Sequence, residues 1–264
     1  MLLGIAVGAY GTMIGAGGGF VLVPMLLLLY PDDPPELITS ISLAVVFFNA
    51  LSGTFAYVRQ RRVDYLAANA FAVATMPGAI IGAIVVGYIP RQLFDVIFAS
   101  ALIGVSILIM ARPTTTTPER AARRASTTRI LTDAQGDSYI YSYDIKMGIA
   151  FSLAVGFMSS LLGIGGGVIH VPIMVLLLHF PAHIATATSH YVLAITALTG
   201  TIVHLLSGEF DTGFDITAAL AVGVIIGAQV GARLSTYVRS AMLIRLLGLA
   251  LGLVGVRLML GVVF

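Results

Sequence analysis

The sequence predicts an all-α polytopic membrane protein composed of two inverted-topology repeats. Three observations predict this fold class: the composition is too apolar for a soluble core, a glycine-rich motif occurs twice at a fixed spacing, and equivalent loops of the two halves carry opposite charge. We expect each repeat to contain a glycine-broken segment, formed by half-helices or a re-entrant pair, and about three transmembrane helices.

The composition indicates that lipid covers most of the surface. Of the 264 residues, 58% are hydrophobic and 10% are charged, and the mean hydropathy is +1.02. A soluble core cannot bury this much apolar surface, and several charge-free runs exceed the roughly 20 residues that span a bilayer. These runs are Met1–Tyr30, Leu37–Val58, Tyr65–Pro90, Val96–Ala111 and Met147–Gly208. We therefore expect a multi-pass protein of the cell membrane, typical of the cytoplasmic membrane of a prokaryote.

Charge and cysteine content exclude other classes of protein. The net charge of +2 comes mostly from arginines in loops, which is typical of cytoplasmic loops of membrane proteins and not of a nucleic-acid surface. Because the chain has no cysteine, disulfides, thiolate metal sites and cysteine nucleophiles are excluded. We expect no cofactor, no metal site and no nucleic-acid partner.

An internal repeat divides the chain. The string GAGGGFVLVP at Gly15–Pro24 returns as GIGGGVIHVP at Gly163–Pro172, at a constant separation of 148 residues. Two further motif pairs align with a small drift in spacing: Asn49–Thr54 with Thr196–Thr201, and Gly78–Ala83 with Gly223–Ala228. We predict an N-terminal transmembrane repeat over residues 1–111, a polar cytoplasmic linker over 112–146 and a C-terminal transmembrane repeat over 147–264.

The secondary structure of the linker has two alternatives. It begins with PTTTTP and contains six basic residues. Its stretch Glu119–Leu131 is compatible with a short surface helix, whereas the threonine and proline content equally suits a mobile loop.

Loop charges predict the relative orientation of the halves, because Lys and Arg mark the cytoplasmic side. The loop Arg59–Asp64 is basic, whereas its counterpart Gly208–Asp215 is acidic. Similarly, Pro31–Glu36 is acidic and its counterpart around His179–His183 contains no acid. Inversion requires an odd number of crossings in each half. Since each half has four apolar segments, we expect the glycine-rich segment to enter and leave on one side, although the sequence also permits it to span.

Each glycine triplet is expected to interrupt a helix. Glycine costs about 1 kcal/mol relative to alanine in a helix, and Pro24 and Pro172 follow the triplets at the same offset. Unwound backbone is tolerated in a membrane where it lines a cavity, and the helix that restarts presents free N–H groups that favour an anion. The alternative is that the glycines only permit close helix packing. The candidate binding glycines are Gly17, Gly18, Gly19, Gly165, Gly166 and Gly167.

A polar stripe lies on the helix that follows each broken segment. At about 100° per residue, hydroxyl, amide and imidazole side chains gather on one face, where they can donate hydrogen bonds to an anion that has lost its water. The alternative role of each Ser or Thr is an interhelical hydrogen bond. The candidate binding residues are Ser42, Asn49 and Thr54 in the first half and Ser189, His190, Thr196, Thr201 and His204 in the second.

All five histidines lie in the second half, three of them within apolar stretches. Because histidine titrates near neutrality, His170, His190 and His204 are candidates for proton coupling; the alternative is a neutral, hydrogen-bonded imidazole. His179 and His183 flank a loop and are expected at the membrane interface. No charged side chain lies in the middle of the first six apolar segments, which disfavours a voltage sensor, a carboxylate proton relay and a metal-cation carrier.

The two G-x-G-G-G motifs, each followed by a hydrophobic residue and proline, and the second-half string ATATSHYVLAITALTGTIVHLLSGEF resemble the sulfite exporter TauE/SafE family over essentially the whole chain. Members of this family are multi-pass carriers of sulfur-containing anions such as sulfite and sulfoacetate, or of other small organic anions, and proton coupling is often proposed for them. The resemblance implies anion transport without fixing the substrate. Family schemes that use a thiol do not apply to a chain without cysteine.

Together these features predict a secondary transporter of a small anion, with sulfite, sulfoacetate or a related sulfonate as the first candidates, bound near the bilayer midplane between the repeats. The expected partners are a small anionic substrate and the lipid bilayer. A passive anion channel is the alternative. An intramembrane enzyme has no support, because the sequence contains no G-x-S-x-G, no H-E-x-x-H and no paired membrane carboxylates. The sequence leaves the exact substrate, the direction, the coupling ion and the oligomeric state open.

Overall fold

The computed structural model describes residues 1–111, 127–208, 213–238 and 240–263, and most of them are helical. The helices of the first half are α1 (Leu2–Met13), α2 (Gly19–Leu29), α3 (Pro35–Arg59), α4 (Tyr65–Val85), which a 3₁₀ turn at Val86–Tyr88 extends, and α5 (Arg91–Ala111). The helices of the second half are α6 (Ile145–Leu162), α7 (Gly167–Leu176), α8 (Ala182–Leu206), α9 (Phe214–Leu234) and α10 (Ser240–Val263). Each half therefore has a broken segment followed by three longer helices.

The outer surface of the helices is apolar. Six of the described helices, α3, α4, α5, α6, α8 and α9, are long and apolar enough to cross a membrane. Their outward side chains include Val73 at 68%, Ile107 at 61% and Phe55 at 59% exposure. So large an exposed apolar surface requires lipid around it. The chain is a multi-pass membrane protein.

The linker contains a β-hairpin, which the all-α prediction did not include. Its strands β1 (Thr127–Thr132) and β2 (Ser138–Tyr143) pair antiparallel. The surface helix and the mobile loop predicted over Glu119–Leu131 are therefore both wrong for residues 127–131, while 112–126 lie outside the described residues. The physical reason is an alternation of β-branched and aromatic residues around a tight turn, which is typical of a hairpin.

The first helix of each half packs against the other half of the protein. α1 packs along α9, and in the same way α6 packs along α4. Glycines bring these backbones together: a Cβ on Gly8 would lie 2.7 Å from the Cα of Val224, and one on Gly156 would lie 2.9 Å from the Cα of Thr75. In both pairs the first helix of one half packs on the fourth helix of the other, so the two halves make equivalent contacts.

The equivalent helices α3 and α8 pack against each other. A Cβ on Gly53 would lie 2.6 Å from Cδ2 of His190, and one on Gly200 would lie 2.9 Å from Cδ1 of Leu43. The late part of α3 thus meets the early part of α8, and the late part of α8 meets the early part of α3. The two helices run in opposite directions.

The contacts favour a different repeat alignment for the last motif pair. Gly78 lies against the carbonyl oxygen of Leu153, and Gly227 lies against that of Ile5. Ile5 is the counterpart of Leu153 at the 148-residue spacing. Gly78 therefore corresponds to Gly227 and not to Gly223, so the motif alignment from the sequence was displaced by one helical turn.

Candidate functional site

Both glycine motifs interrupt a helix, as predicted. The left-handed backbone positions are Gly15 (φ 79°), Gly17 (φ 75°) and Gly18 (φ 83°) in the first break and Gly163 (φ 68°), Gly165 (φ 78°) and Gly166 (φ 81°) in the second. Only glycine adopts this conformation at little cost. The chain resumes helical geometry at Gly19 and Gly167, where the first N–H groups have no partner within the helix.

The two breaks lie against each other. A Cβ on Gly19 would lie 2.9 Å from the carbonyl oxygen of Gly163, and a Cβ on Gly167 would collide with the carbonyl oxygen of Gly15. Any larger residue at either position would separate the breaks. The N-termini of α2 and α7 therefore meet at the centre of the protein.

Val46 of α3 and Leu193 of α8 cover both breaks. A Cβ on Gly17 would lie 3.2 Å from Cγ1 of Val46, and one on Gly165 would lie 2.6 Å from Cδ1 of Leu193. The six glycines predicted from the sequence thus form one packed unit beneath the crossing of α3 and α8.

Two residues of the polar stripes, Asn49 and His190, lie beside the first break and share Thr12 as a partner. The Thr12 hydroxyl donates to Oδ1 of Asn49 at 3.0 Å, and Nε2 of His190 lies 3.2 Å from the same hydroxyl. The Asn49 amide donates to the Gly17 carbonyl at 2.9 Å, and the Tyr57 hydroxyl donates to the Thr12 carbonyl at 2.7 Å. All these groups are buried, and their hydrogen bonds fix the first break to α1 and α3.

Two other predicted site residues have structural partners. The Ser42 hydroxyl donates to the Gly163 carbonyl at 2.7 Å, which ties α3 to the second break. The Thr196 hydroxyl lies 2.7 Å from that of Thr75 and donates to its own helix. These contacts match the alternative role, interhelical bonding, that the sequence allowed.

His170 lies apart from the polar stripes. Its Nε2 is 3.2 Å from the Ser152 hydroxyl on α6, and its ring packs edge-on against Phe71 on α4. This proton-coupling candidate therefore sits between α4 and α6, away from the Thr12 network that holds His190.

Several buried polar groups have no hydrogen-bond partner within the described parts of the chain. Those on predicted site residues are the hydroxyls of Thr54, Ser189 and Thr201, the Nδ1 of His190 and the Nε2 of His204. Three further unpaired hydroxyls are those of Ser159 and Ser160, which sequence reasoning missed, and that of Thr186, which lies on the predicted stripe of α8. A signal for two of them was present, because Ser-Ser precedes GIGGG at the spacing at which Gly-Thr precedes GAGGG. Unpaired buried groups call for a ligand, a water or an ion as partner.

The charged side chains in the loop between α3 and α4, Arg62 and Asp64, bind residues of the β-hairpin. Arg62 and Asp133 form a buried ion pair at 3.1 Å, and the Tyr141 hydroxyl donates to Oδ2 of Asp64 at 2.7 Å. Burial alone would raise the pKa of Asp133, but hydrogen bonds from Arg62 and from backbone N–H groups of the turn outweigh it and lower the pKa. Burial and the Asp64 carboxylate both raise the pKa of Tyr141. These interactions hold the hairpin against the end of α3.

The central site offers hydrogen-bond donors without a permanent charge. Its groups are hydroxyls, imidazoles and the N–H groups at two helix N-termini. Across the described ranges, no Asp, Glu, Lys or Arg side chain takes part in the hydrogen bonds that the Thr12 network and the breaks make. Helix N-termini and neutral donors of this kind bind oxyanions.

Comparison with known proteins places the chain in a family. The family model described as sulfite exporter TauE/SafE matches residues 1–258. The probable membrane transporter protein YunE of Bacillus subtilis is 33% identical over 98% of this chain and 95% of its own length. The probable membrane transporter protein MJ0441 of Methanocaldococcus jannaschii is 23% identical over 98% and 94%. No solved structure matches. The chain belongs to the sulfite exporter TauE/SafE family and is a membrane transporter of that type.

Proposed function

We propose that the protein is a secondary transporter of a small sulfur-containing anion, such as sulfite, sulfoacetate or a related sulfonate. The observation that carries this proposal is the meeting of two helix N-termini at the protein centre, at Gly19 and Gly167. An oxyanion that leaves water needs hydrogen-bond donors, and each N-terminus adds a partial positive charge. The description of the family as sulfite exporters supports the sulfur-containing class of substrate.

The repeats are inverted in this proposal, and the broken segments are re-entrant. The opposite directions of the equivalent helices α3 and α8 support inversion. Tyr143 precedes α6 and Phe180 follows α7, and their ring centroids are only 4.5 Å apart. The second broken segment thus begins and ends on the same side, which supports a re-entrant path.

The side that carries the linker faces the cytoplasm in this scheme. Gln60, next to the end of α3, donates to the carbonyl of Ala232 near the end of α9 at 3.0 Å, so both helices end there. Arg59 and Arg233 lie at these two ends. Basic residues at helix ends favour the cytoplasmic side.

His190 is the first candidate for proton coupling. It is buried against Gly53 and linked to Thr12, one turn from the first break. A proton gained or lost there changes the electrostatic potential at both helix N-termini. His204 is the second candidate, and the position of His170 between α4 and α6 makes it the third.

Uptake into proteoliposomes tests the proposed function. We expect saturable uptake of labelled sulfite or sulfoacetate that an imposed pH gradient accelerates. His190→Ala is expected to reduce the initial rate about tenfold or more, because it removes a buried polar group beside the breaks. His183→Ala, at the start of α8 and away from the breaks, serves as the matched control and is expected to retain most of the rate.

Two results would contradict the proposal. A folded protein that takes up none of the tested anions refutes anion transport. Flux that rises linearly with concentration and ignores the pH gradient indicates the passive channel instead.

A further inference from the structure

The two breaks differ in chemistry although the backbone geometry repeats. At the spacings set by the structure, Thr12 corresponds to Ser160 and Tyr57 corresponds to His204. In the first half, Thr12 bonds to Asn49 and His190, and Tyr57 reaches the Thr12 carbonyl. Each of these side chains has a protein partner, and among the polar atoms at their ends only Nδ1 of His190 has none within the described residues.

The second half has the same positions without these partners. The Ser160 hydroxyl lies over Gly200, 2.8 Å from where a Cβ would stand, and within the described residues it has no hydrogen-bond partner. At the second break, Leu43 occupies the position equivalent to His190, and its aliphatic side chain cannot form a hydrogen bond with Ser160. His204 is only 2% exposed, and its Nε2 is also unpaired in the described part of the chain.

The N-terminus of the helix that follows each break, α2 in the first half and α7 in the second, also has different surroundings. A Cβ on Gly11 of α1 would lie 2.5 Å from the Cα of Gly18, so the backbone of α1 closes directly over the N-terminus of α2. The counterpart of Gly11 is Ser159, which is fully buried. Its hydroxyl lies 3.1 Å from the Cβ position of Gly166 and has no partner among the residues described. The unpaired Ser159 hydroxyl therefore lies at the N-cap of α7, whereas the N-cap of α2, Gly18, contacts the backbone of α1 and the aliphatic side chain of Val7.

We infer that the anion binds chiefly at one break, at the N-terminus of α7, with Ser159, Ser160 and His204 as its side-chain donors. The inference rests on the proposed function and specifies its binding site. The pseudosymmetry directs His204 toward Ser160, since Tyr57 reaches the backbone of Thr12 at the equivalent place. All the groups donate, so the site takes a fully deprotonated oxyanion with several acceptor oxygens. The first break packs against this site, and its own hydrogen bonds give it a structural role.

A pair of matched variants tests this assignment, with binding of sulfite and sulfoacetate and thermal unfolding measured on the purified full chain. Ser160→Ala is expected to weaken binding about tenfold or more, the effect of losing a hydrogen bond to a charged ligand. Its unfolding midpoint without ligand should be unchanged or higher, because an unpaired buried hydroxyl is removed. Thr12→Val should do the opposite: the midpoint falls and the affinity of the folded protein stays within about twofold of wild type.

A third variant separates loss of the donor from a change in packing. Ser160→Thr copies the first half and keeps a hydroxyl, so it is expected to retain affinity. Ser160→Ala with wild-type affinity would overturn the inference. Equal loss of affinity in Ser160→Ala and Thr12→Val would also overturn it, since the site would then span both breaks. A wild-type protein that binds neither anion refutes the proposed function itself, and the variants are then not needed to decide it.

Discussion

Replacing Asn49 by leucine is expected to destabilise the protein by releasing the first break from α3. The side chain makes two interhelical hydrogen bonds, one from Thr12 at 3.0 Å and one to the Gly17 carbonyl at 2.9 Å. Leucine has a similar volume, so the loss of hydrogen bonds dominates over a cavity. Interhelical bonds in membranes contribute about 0.6–1.7 kcal/mol each, which predicts a loss of about 1–3 kcal/mol for the pair.

Thermal unfolding in detergent measures this loss. About 2–4 °C per kcal/mol is typical for a chain of this size, so the midpoint should fall by about 2–12 °C. Thr54→Val is the control, since the Thr54 hydroxyl is unpaired in the described structure and its removal should leave the midpoint unchanged. If Asn49→Leu unfolds at the wild-type temperature but loses transport, Asn49 contacts the substrate and the structural role argued for it is wrong.

Two further predictions concern helix packing and the hairpin. Gly156→Ala places a methyl group against the Thr75 backbone and should lower the unfolding free energy by about 1–3 kcal/mol. Gly104→Ala, where a Cβ meets no described atom within 4 Å, should be neutral or slightly stabilising in the same thermal assay. Because the folded state lowers the pKa of Asp133, ionised Asp133 should stabilise hairpin docking above about pH 4, and this stabilisation should be lost as the pH falls through the lowered value. Hydrogen exchange of the hairpin from about pH 3 to 7 checks this, and Asp133→Asn, which cannot form the ion pair with Arg62, should remove the pH dependence.

The breaks could be predicted from sequence because they depend on local chemistry. A left-handed backbone at Gly17 and Gly165 is a property of glycine itself, and the repetition of the motif showed that both halves use it. The polar stripe followed from helical periodicity alone. Which members of the stripe have partners did not follow, because Asn49 and Thr196 occupy equivalent positions yet bond to different helices.

The features that sequence reasoning missed depend on tertiary contacts or on weak local signals. α9 carries Gly223, Gly227 and Gly231 one turn apart, so motif matching has more than one solution, and only the contacts with α1 decide between them. The hairpin was not predicted, because the polar composition of the linker indicated a loop or a surface helix although the residues of the strands alternate with a period of two. The positions of Ser159 and Ser160 before the second motif are visible in the sequence, but the absence of partners for their hydroxyls is a tertiary property that the sequence does not show.

The exchange of helices between the halves determines how the protein can be made. α1 is synthesised well before α9, but the surface that covers the glycine face of α1 belongs to α9. The interior of the N-terminal half therefore remains incomplete in the membrane until α9 has been synthesised and inserted. A chain cut between Ala111 and Thr127 keeps every contact between the halves described above. We expect its two fragments to be degraded when produced separately and to assemble into the native protein when produced in the same cell.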